Sequence, residues 1–249
     1  MSSAKAEDYI KALYQLRGGE EGGEEKEAIA PSAIADVLGV TTPTVTATMK
    51  RLAERGLVER EEYKGAHLTD EGELMAIETI RHHRLLELFL AEELNYDWTE
   101  VHEEADRLEH HISERLETEI DAVLGEPTAD PHGAPIPSAD LEVLDEDLAP
   151  LSAHEEGDLV TIERVRDDDP EVLAYLDRVG VTPGARFQVV EIAPFEMVTL
   201  APLEAENRTD DAPSTEASGE TVSLPKAVAV TVSVREANPE VEDGPALAN

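Results

Sequence analysis

The segment VHEEADRLEHH, residues 101–111, carries seven acidic or imidazole side chains in eleven positions. On a helix of about 3.6 residues per turn, His102, Asp106, Glu109 and His110 fall on neighbouring rows of one side, because positions three and four apart adjoin. Three such side chains can hold one cation. On another side Val101, Ala105, Leu108, Ile112 and Leu116 recur at the same spacing, which gives the segment a face for a core. His83 and Glu87 stand one turn apart on the helix expected before it, a second pair able to ligate. The chemistry on offer is metal binding through nitrogen and oxygen. The chain has no cysteine, which removes disulfides, thiolate ligands and cysteine nucleophiles and disfavours a structural zinc finger.

An enzyme is the rival use of the same residues. His102-Glu103-Glu104-Ala105-Asp106 comes within one residue of the HExxH hydrolase motif, with Asp where the second His belongs. A carboxylate-bridged di-iron bundle needs Glu-x-x-His pairs. None of the eight histidines has a carboxylate three residues before it. Neither a phosphate-binding Gly loop nor a GxSxG elbow is present. The expectation is a metal-responsive protein that is not an enzyme, with His67, His82, His111, His132 and His154 as ordinary surface or core residues.

The elements that position these residues follow from periodicity and punctuation. Residues 4–17 form an amphipathic helix with Ile10, Leu13, Tyr14 and Leu16 on one side and Asp8 near its start. After a Gly-rich acidic loop, a short helix spans 31–38, Gly39-Val40-Thr41 turns the chain, and Pro43 suits the first turn of a helix over 43–55 that Gly56 ends. Two such helices, followed by two strands in LVEREEYKGAHLT (57–69) about Lys64-Gly65, make a winged helix-turn-helix. Its second helix offers Thr44, Thr46, Thr48, Lys50, Arg51 and Arg55 against Glu54 alone. Hydroxyls and methyls suit base edges, and the cations suit phosphates.

Helices over 70–93 and 99–124 carry more apolar surface than one winged domain needs. That predicts a homodimer presenting two recognition helices to a palindromic double-stranded DNA operator. Residues 126–150, rich in proline, read as a linker. Beta-rich runs at 158–164, 186–192, 197–201 and 227–234 suggest a small barrel, while 204–220 reads as an acidic Ser/Thr/Asp-rich insertion and 237–249 as a disordered tail. The expected fold is mainly α with a small β domain. Its parts are a winged domain over 1–72, a helical metal-binding and dimerisation domain over 73–137, a linker over 138–155, the small β domain over 156–236 and the tail.

Fifty-seven acidic against 20 basic residues give a formal net charge of -37. Carboxylates are spread through helices, loops and tail alike, which points to adaptation to a high-salt cytoplasm. At molar salt the Debye length is about 3 Å, so distant repulsion from DNA is largely screened. Residues 1–70 hold 9 Lys and Arg against 13 Asp and Glu, the remainder 11 against 44. If any part meets a phosphate backbone, it is the N-terminal one. No leader pattern and no apolar run long enough for a membrane appear, and the expected location is cytoplasmic.

AEDYIKALYQL (6–16), TTPTVTATMKRLAERGLVER (41–60), RHHRLLELFL (81–90), VHEEADRLEHH and DPHGAPIP (130–137), in this order and spacing, resemble the diphtheria toxin repressor family of iron- and manganese-dependent repressors. GDLVTIERVRDDDPEVLAYLDRVGVTPG (157–184) looks like the SH3-like domain that the family shares with FeoA proteins. The resemblance implies a primary, activating site at Asp8, Asp106, Glu109 and His110. It implies an ancillary site at His83, Glu87 and His102, with Asp168 and Glu171 at additional ligand positions. It places Thr41, Pro43, Thr44 and Thr46 at base edges and phosphates, with Lys50 and Arg51 on the DNA backbone. Ala47 replaces a longer polar residue of the iron branch, so the operator sequence does not carry over.

The cofactor implied is Mn(II) or Fe(II). The iron repressors place sulfur-bearing residues where Asp8 and Asp106 stand, and hard oxygen ligands favour manganese, modestly ahead of iron. Lys11 stands where the manganese branch has a further carboxylate, which puts that branch's closely spaced metal pair in doubt. A metal-binding adaptor that never touches DNA is the other class, against which the Thr-rich helix and the wing argue.

Overall fold

Helix α1 (Ser3–Leu16) buries Ile10, Leu13 and Tyr14, the side that its apolar periodicity predicts. The computed structural model describes residues 3–17, 28–61, 64–143, 148–166, 169–193, 197–203 and 220–237. The chain forms two compact units, Met1–Asp147 and Leu148–Asn249. No helix among the described residues is long and apolar enough to cross a membrane.

In the first unit α2 (Pro31–Val37) and α3 (Thr42–Glu54) are joined through Gly39, whose φ of 61° is the left-handed conformation that glycine adopts without strain. Val45, Met49 and Leu52 point from α3 into a core shared with α1, and Thr48 is buried with them. Strands β1 (Val58–Glu61) and β2 (Gly65–Leu68) pair antiparallel, Val58 opposite Leu68, and form the wing. Ile29 adds a bridge to Ala66, with hydrogen bonds of 2.8 and 3.1 Å.

Helix α4 (Asp70–Leu94) starts under Thr69, whose hydroxyl accepts from the Gly72 N–H at 3.1 Å and donates to the Gly56 carbonyl at 2.7 Å. Three acidic residues, Asp70, Glu71 and Glu73, sit on its positive end. It ends on Asn95, left-handed at φ 56°. Leu85, Leu86, Leu88 and Leu90 pack with Val101, Ala105, Ile120 and Ile136 in a second core.

One expectation is corrected here. Residues 99–124 are not one helix but two, α5 (Val101–Leu108) and α6 (Glu114–Leu124). Ser113 begins the second, its hydroxyl accepting from the Leu116 N–H at 3.3 Å. The apolar period runs through the break, so periodicity alone cannot see it. Leu116, expected on the core face, is exposed.

Residues 126–143 are irregular apart from the bridge Ala129–Pro135, as a proline-rich stretch should be.

The second unit begins earlier than residue 156. Strand β3 (Ala149–Pro150) and a 3-10 turn, Leu151–Ala153, precede β4 (Leu159–Val165), α7 (Pro170–Arg178), β5 (Arg186–Ala193), β6 (Met197–Pro202), β7 (Val222–Pro225), α8 (Lys226–Ala229) and β8 (Val232–Glu236). All pairings are antiparallel, in the order β3-β8-β4-β5-β6-β7. The expected barrel is therefore an open six-stranded sheet among the described residues, with β3 and β7 at its edges. Alternate residues Val160 and Ile162, Phe187 and Val189, Val198 and Leu200, and Val232 and Val234 are buried, the period of two that a sheet covered on one face requires. The run expected over 227–234 is interrupted by α8. The acidic stretch and the tail lie outside the described residues except at positions 220 and 237.

Gly72 sits in the first turn of α4, and a Cβ there would stand 2.0 Å from the Leu57 carbonyl oxygen. Ala in a helix usually gains about 1 kcal/mol over Gly. Overlap with a backbone atom costs about 2–3 kcal/mol and outweighs that gain. Gly72→Ala is expected to lower the denaturation midpoint; an unchanged or raised midpoint would show that the Leu57 backbone and α4 can separate freely.

Candidate metal centre

Asp8 and Lys11 lie one turn apart on α1, facing the corner where α5 ends. The α5–α6 break delivers Glu109 and His110 to that place: Glu109 is the C-terminal cap of α5 and His110 follows in the turn. His110 Nε2 lies 2.8 Å from Asp8 Oδ1, and its Nδ1 lies 2.7 Å from Glu7 Oε2. Glu109 Oε1 is 3.4 Å from His110 Nε2. Asp8, Glu109 and His110 thus offer ligand atoms within 4.8 Å of one another.

A second cluster lies next to it. His83 Nε2 is 3.0 Å from Glu87 Oε1 and 3.1 Å from His102 Nδ1, and that same Glu87 oxygen is 3.1 Å from His102 Nδ1. Asp106 belongs here by position: Oδ1 is 3.3 Å from His83 Nδ1 and Oδ2 is 3.7 Å from His102 Nε2. The resemblance assigns Asp106 to the set of Asp8, whereas the structure gathers it with His83 and His102. Lys11 stands between the clusters, its Nζ 2.7 Å from Glu109 Oε2, 3.1 Å from Asp106 Oδ1 and 3.1 Å from His83 Nδ1.

A third cluster, Glu87, Asp130 and His132, is fully buried and was not foreseen. Asp130 Oδ1 accepts from the backbone N–H groups of His132 and Ala134 at 2.8 and 2.9 Å. Glu87 Oε2 lies 3.9 Å from His132 Nδ1 and makes no hydrogen bond. Sequence reasoning took His132 for an ordinary histidine. The DPHG phrase is more than 40 residues from Glu87, and no periodicity connects them. The available signal was the pairing of an acid and an imidazole two apart in a segment otherwise poor in side-chain chemistry.

The electrostatics follow from burial. Burial alone would depress the His83 pKa, yet the Glu87 carboxylate, helped by Glu109, pushes it up to about 9. Burial would likewise raise Glu87 and Glu109, but His83 with His102 holds Glu87 well below the usual carboxylate range, and His83 with Lys11 lowers Glu109. Asp8 goes the other way: burial raises it and His110 offsets only part. The donors are carboxylate oxygens and imidazole nitrogens without sulfur, a set that suits Mn(II), Fe(II) or Zn(II). A fully buried carboxylate oxygen with no hydrogen bond, Glu87 Oε2, is a place where a cation compensates lost hydration. The residues therefore fit a divalent metal.

Glu171 stands exposed in the first turn of α7, in the second unit. Asp168 lies outside the described residues. Thr41, Pro43, Thr44, Thr46, Lys50 and Arg51 are all exposed, along α3 and at its start. The Thr41 and Thr44 hydroxyls are 2.8 Å apart, and Thr46 donates to the Thr42 carbonyl at 3.0 Å.

Comparison with known proteins agrees with this geometry. Residues 1–66 match the N-terminal DNA-binding domain of the iron-dependent repressors, 69–138 their metal-binding and dimerisation domain, and 149–208 the FeoA domain. The iron-dependent repressor IdeR of Mycobacterium leprae is 33% identical over 82% of this chain and 90% of its own length. The diphtheria toxin repressor of Corynebacterium efficiens is 31% identical over 74% of this chain and 82% of its own. The solved structure of a manganese-dependent transcriptional repressor in complex with manganese superposes with a TM-score of 0.80 at 36% identity, over 93% of this chain and all of that one. With α3 and the wing in front, ligand clusters on α1, α4 and α5 behind them, and a FeoA domain after the linker, the chain belongs to the diphtheria toxin repressor family of metal-dependent, DNA-binding transcriptional repressors.

Proposed function

We propose that this protein is a cytoplasmic homodimeric repressor that binds a palindromic operator when Mn(II) or Fe(II) is present. In this assignment residues 1–72 read DNA, 73–137 hold metal and the dimer partner, and the FeoA unit is accessory. The observation that carries it is the meeting of Asp8 on α1 with His110 at the α5–α6 turn, 2.8 Å apart. An ion held by Asp8, Glu109 and His110 would supply a crosslink between the helix under the winged domain and the helical core. His83, Glu87 and His102 would hold a second ion. Asp130 and His132, on the far side of Glu87, extend the ligands available there.

On the DNA side, the exposed threonines at the start of α3 reach base edges and phosphates, and Lys50 and Arg51 neutralise backbone charge. Fixing α1 fixes α3 through their shared core, so that two recognition helices keep the spacing of about 34 Å that successive major grooves demand. Because metal and DNA favour the same arrangement, each should tighten the other, typically by 5–150-fold.

Fluorescence anisotropy on promoter fragments in multimolar KCl, with Mn(II), with anaerobic Fe(II) and with chelator, tests the whole assignment. Ion-independent, sequence-specific binding would make the clusters scaffold. Absence of DNA binding under every condition would favour a metal-binding adaptor. Asp8→Ala should keep the dimer but lose about tenfold or more of the metal-stimulated affinity, and stimulation equal to the parent protein would contradict the assignment. Arg51→Ala should weaken all sequences about equally and flatten the salt dependence by about one unit of slope; altered sequence preference would show instead that Arg51 reads bases.

Proton linkage gives a further expectation. With its pKa raised to about 9, His83 is protonated at neutral pH, and only neutral imidazole ligates. Loading the His83 cluster should therefore release close to one proton per ion at pH 7.5, and its apparent affinity should fall as pH drops below 9. For the protein alone, the His83 contribution to stability is complete below its ordinary pKa of 6.5 and is lost as pH rises through about 9. Metal titration in weakly buffered solution measures the release; no proton appearing would mean a neutral His83.

A further inference from the structure

Among the described residues Lys11 is the one buried lysine. A lysine among metal ligands is unusual, because its ammonium has three donors and no lone pair to give a metal. All three of its polar neighbours belong to ligand clusters. The geometry also shows what it does to them. Asp106 has Oδ1 toward Lys11 and His83 and Oδ2 toward His102, so both oxygens are engaged outside the group of Asp8, Glu109 and His110. Glu109 has Oε2 occupied by Lys11 and His83, which leaves Oε1 for His110.

We propose that Lys11 determines how the ligands are divided: it is a tethered cation between the two clusters that holds Asp106 on the His83–His102 side and leaves Glu109 a single oxygen for the Asp8–His110 side. The Asp8 centre is thereby a three-side-chain site with a cation beside it, and no ion bridges Asp106 to Glu109. The fixed positive charge repels an incoming divalent ion and raises the metal concentration at which the centre fills. This rests on the assignment of Asp8, Glu109 and His110 as a metal site.

The test counts Mn(II) bound per chain, and its affinity, from the loss of the six-line EPR signal of aqueous Mn(II). Asp8→Ala identifies which class of bound ion belongs to the Asp8 centre. In Lys11→Gln, which removes the charge and keeps a polar stem, that centre should bind at least about tenfold more tightly, and Lys11→Arg, which keeps the charge on a differently shaped head, should show no such tightening. Asp106→Asn, which leaves Lys11 in place and is half exposed, should weaken the His83 class and spare the Asp8 class. Equal or weaker binding at the Asp8 centre of Lys11→Gln overturns the proposal, as does loss of that centre in Asp106→Asn. If the parent protein binds no Mn(II), or Asp8→Ala binds as the parent does, the metal assignment itself falls. If the parent binds and the Lys11 variants are indistinguishable from it, the Lys11 proposal alone falls.

Discussion

A carboxylate buried as deeply as that of Glu109 loses several kcal/mol of hydration unless cations take the place of water. Lys11 at 2.7 Å and His83 at 2.6 Å do so. Lys11 is on α1, His83 on α4 and Glu109 at the end of α5, so compensating one charge ties three helices together. Removing any one partner leaves the others charged and dry. That is a stronger constraint on geometry than on stability, since a buried ion pair often contributes little beyond an apolar substitute. What it fixes is where α1 stands, and α1 shares its core with the recognition helix.

The same logic extends down α4. Arg81, buried, donates to Glu117 at 2.6 Å, to Asp121 at 3.0 Å and to the Pro137 carbonyl at 2.6 Å. Arg84 donates to the Pro135 carbonyl. His82 lies between the Glu109 carbonyl at 3.2 Å and Glu117 Oε2 at 3.1 Å. In a chain with only 20 basic residues against 57 acidic, these side chains hold α6 and the irregular segment 126–143 onto α4. Lys50, Arg51 and Arg55 are left exposed along α3 with Glu54. Basic residues are thus divided between the polar interior that locks the helices and the exposed face of α3 that the proposal sets against phosphate.

How much of this was legible in the sequence depended on whether the cause was local. Gly39, Pro43 and Gly56 punctuate the helix-turn-helix by their own backbone preferences, and the alternation around Lys64-Gly65 marks the wing. The break between α5 and α6 was missed because Ile112 and Leu116 continue the apolar period of Val101 and Ala105, while the new start at α6 is marked by a single serine cap. The contacts of Asp106 with His83 and His102 were not legible for a different reason. Its helix row fits either cluster, and the group it faces at 3.1 Å, Lys11, is 95 positions away. Asp130 and His132 sit in a segment without period, and only the fold brings them to Glu87. The barrel expectation failed because strand-forming runs show that a sheet exists and not whether its edges meet.

The three clusters are one connected system because two carboxylates are shared. Glu109 turns Oε1 toward His110 and Oε2 toward His83, while Glu87 turns Oε1 toward His83 and His102 and Oε2 toward His132. A carboxylate has one charge for both oxygens, so a cation drawn to one side lowers what the other side can offer. Moving either group to suit one cluster also moves it against the next, since packed side chains change position in discrete steps. Under the proposed metal assignment, occupancy at neighbouring places that share a carboxylate would be linked, and linkage is reciprocal. Asp8 on α1 and Asp130 in the irregular segment after α6 mark the two ends of this line, and under the proposed metal assignment an ion at one end would change the charge available at the other.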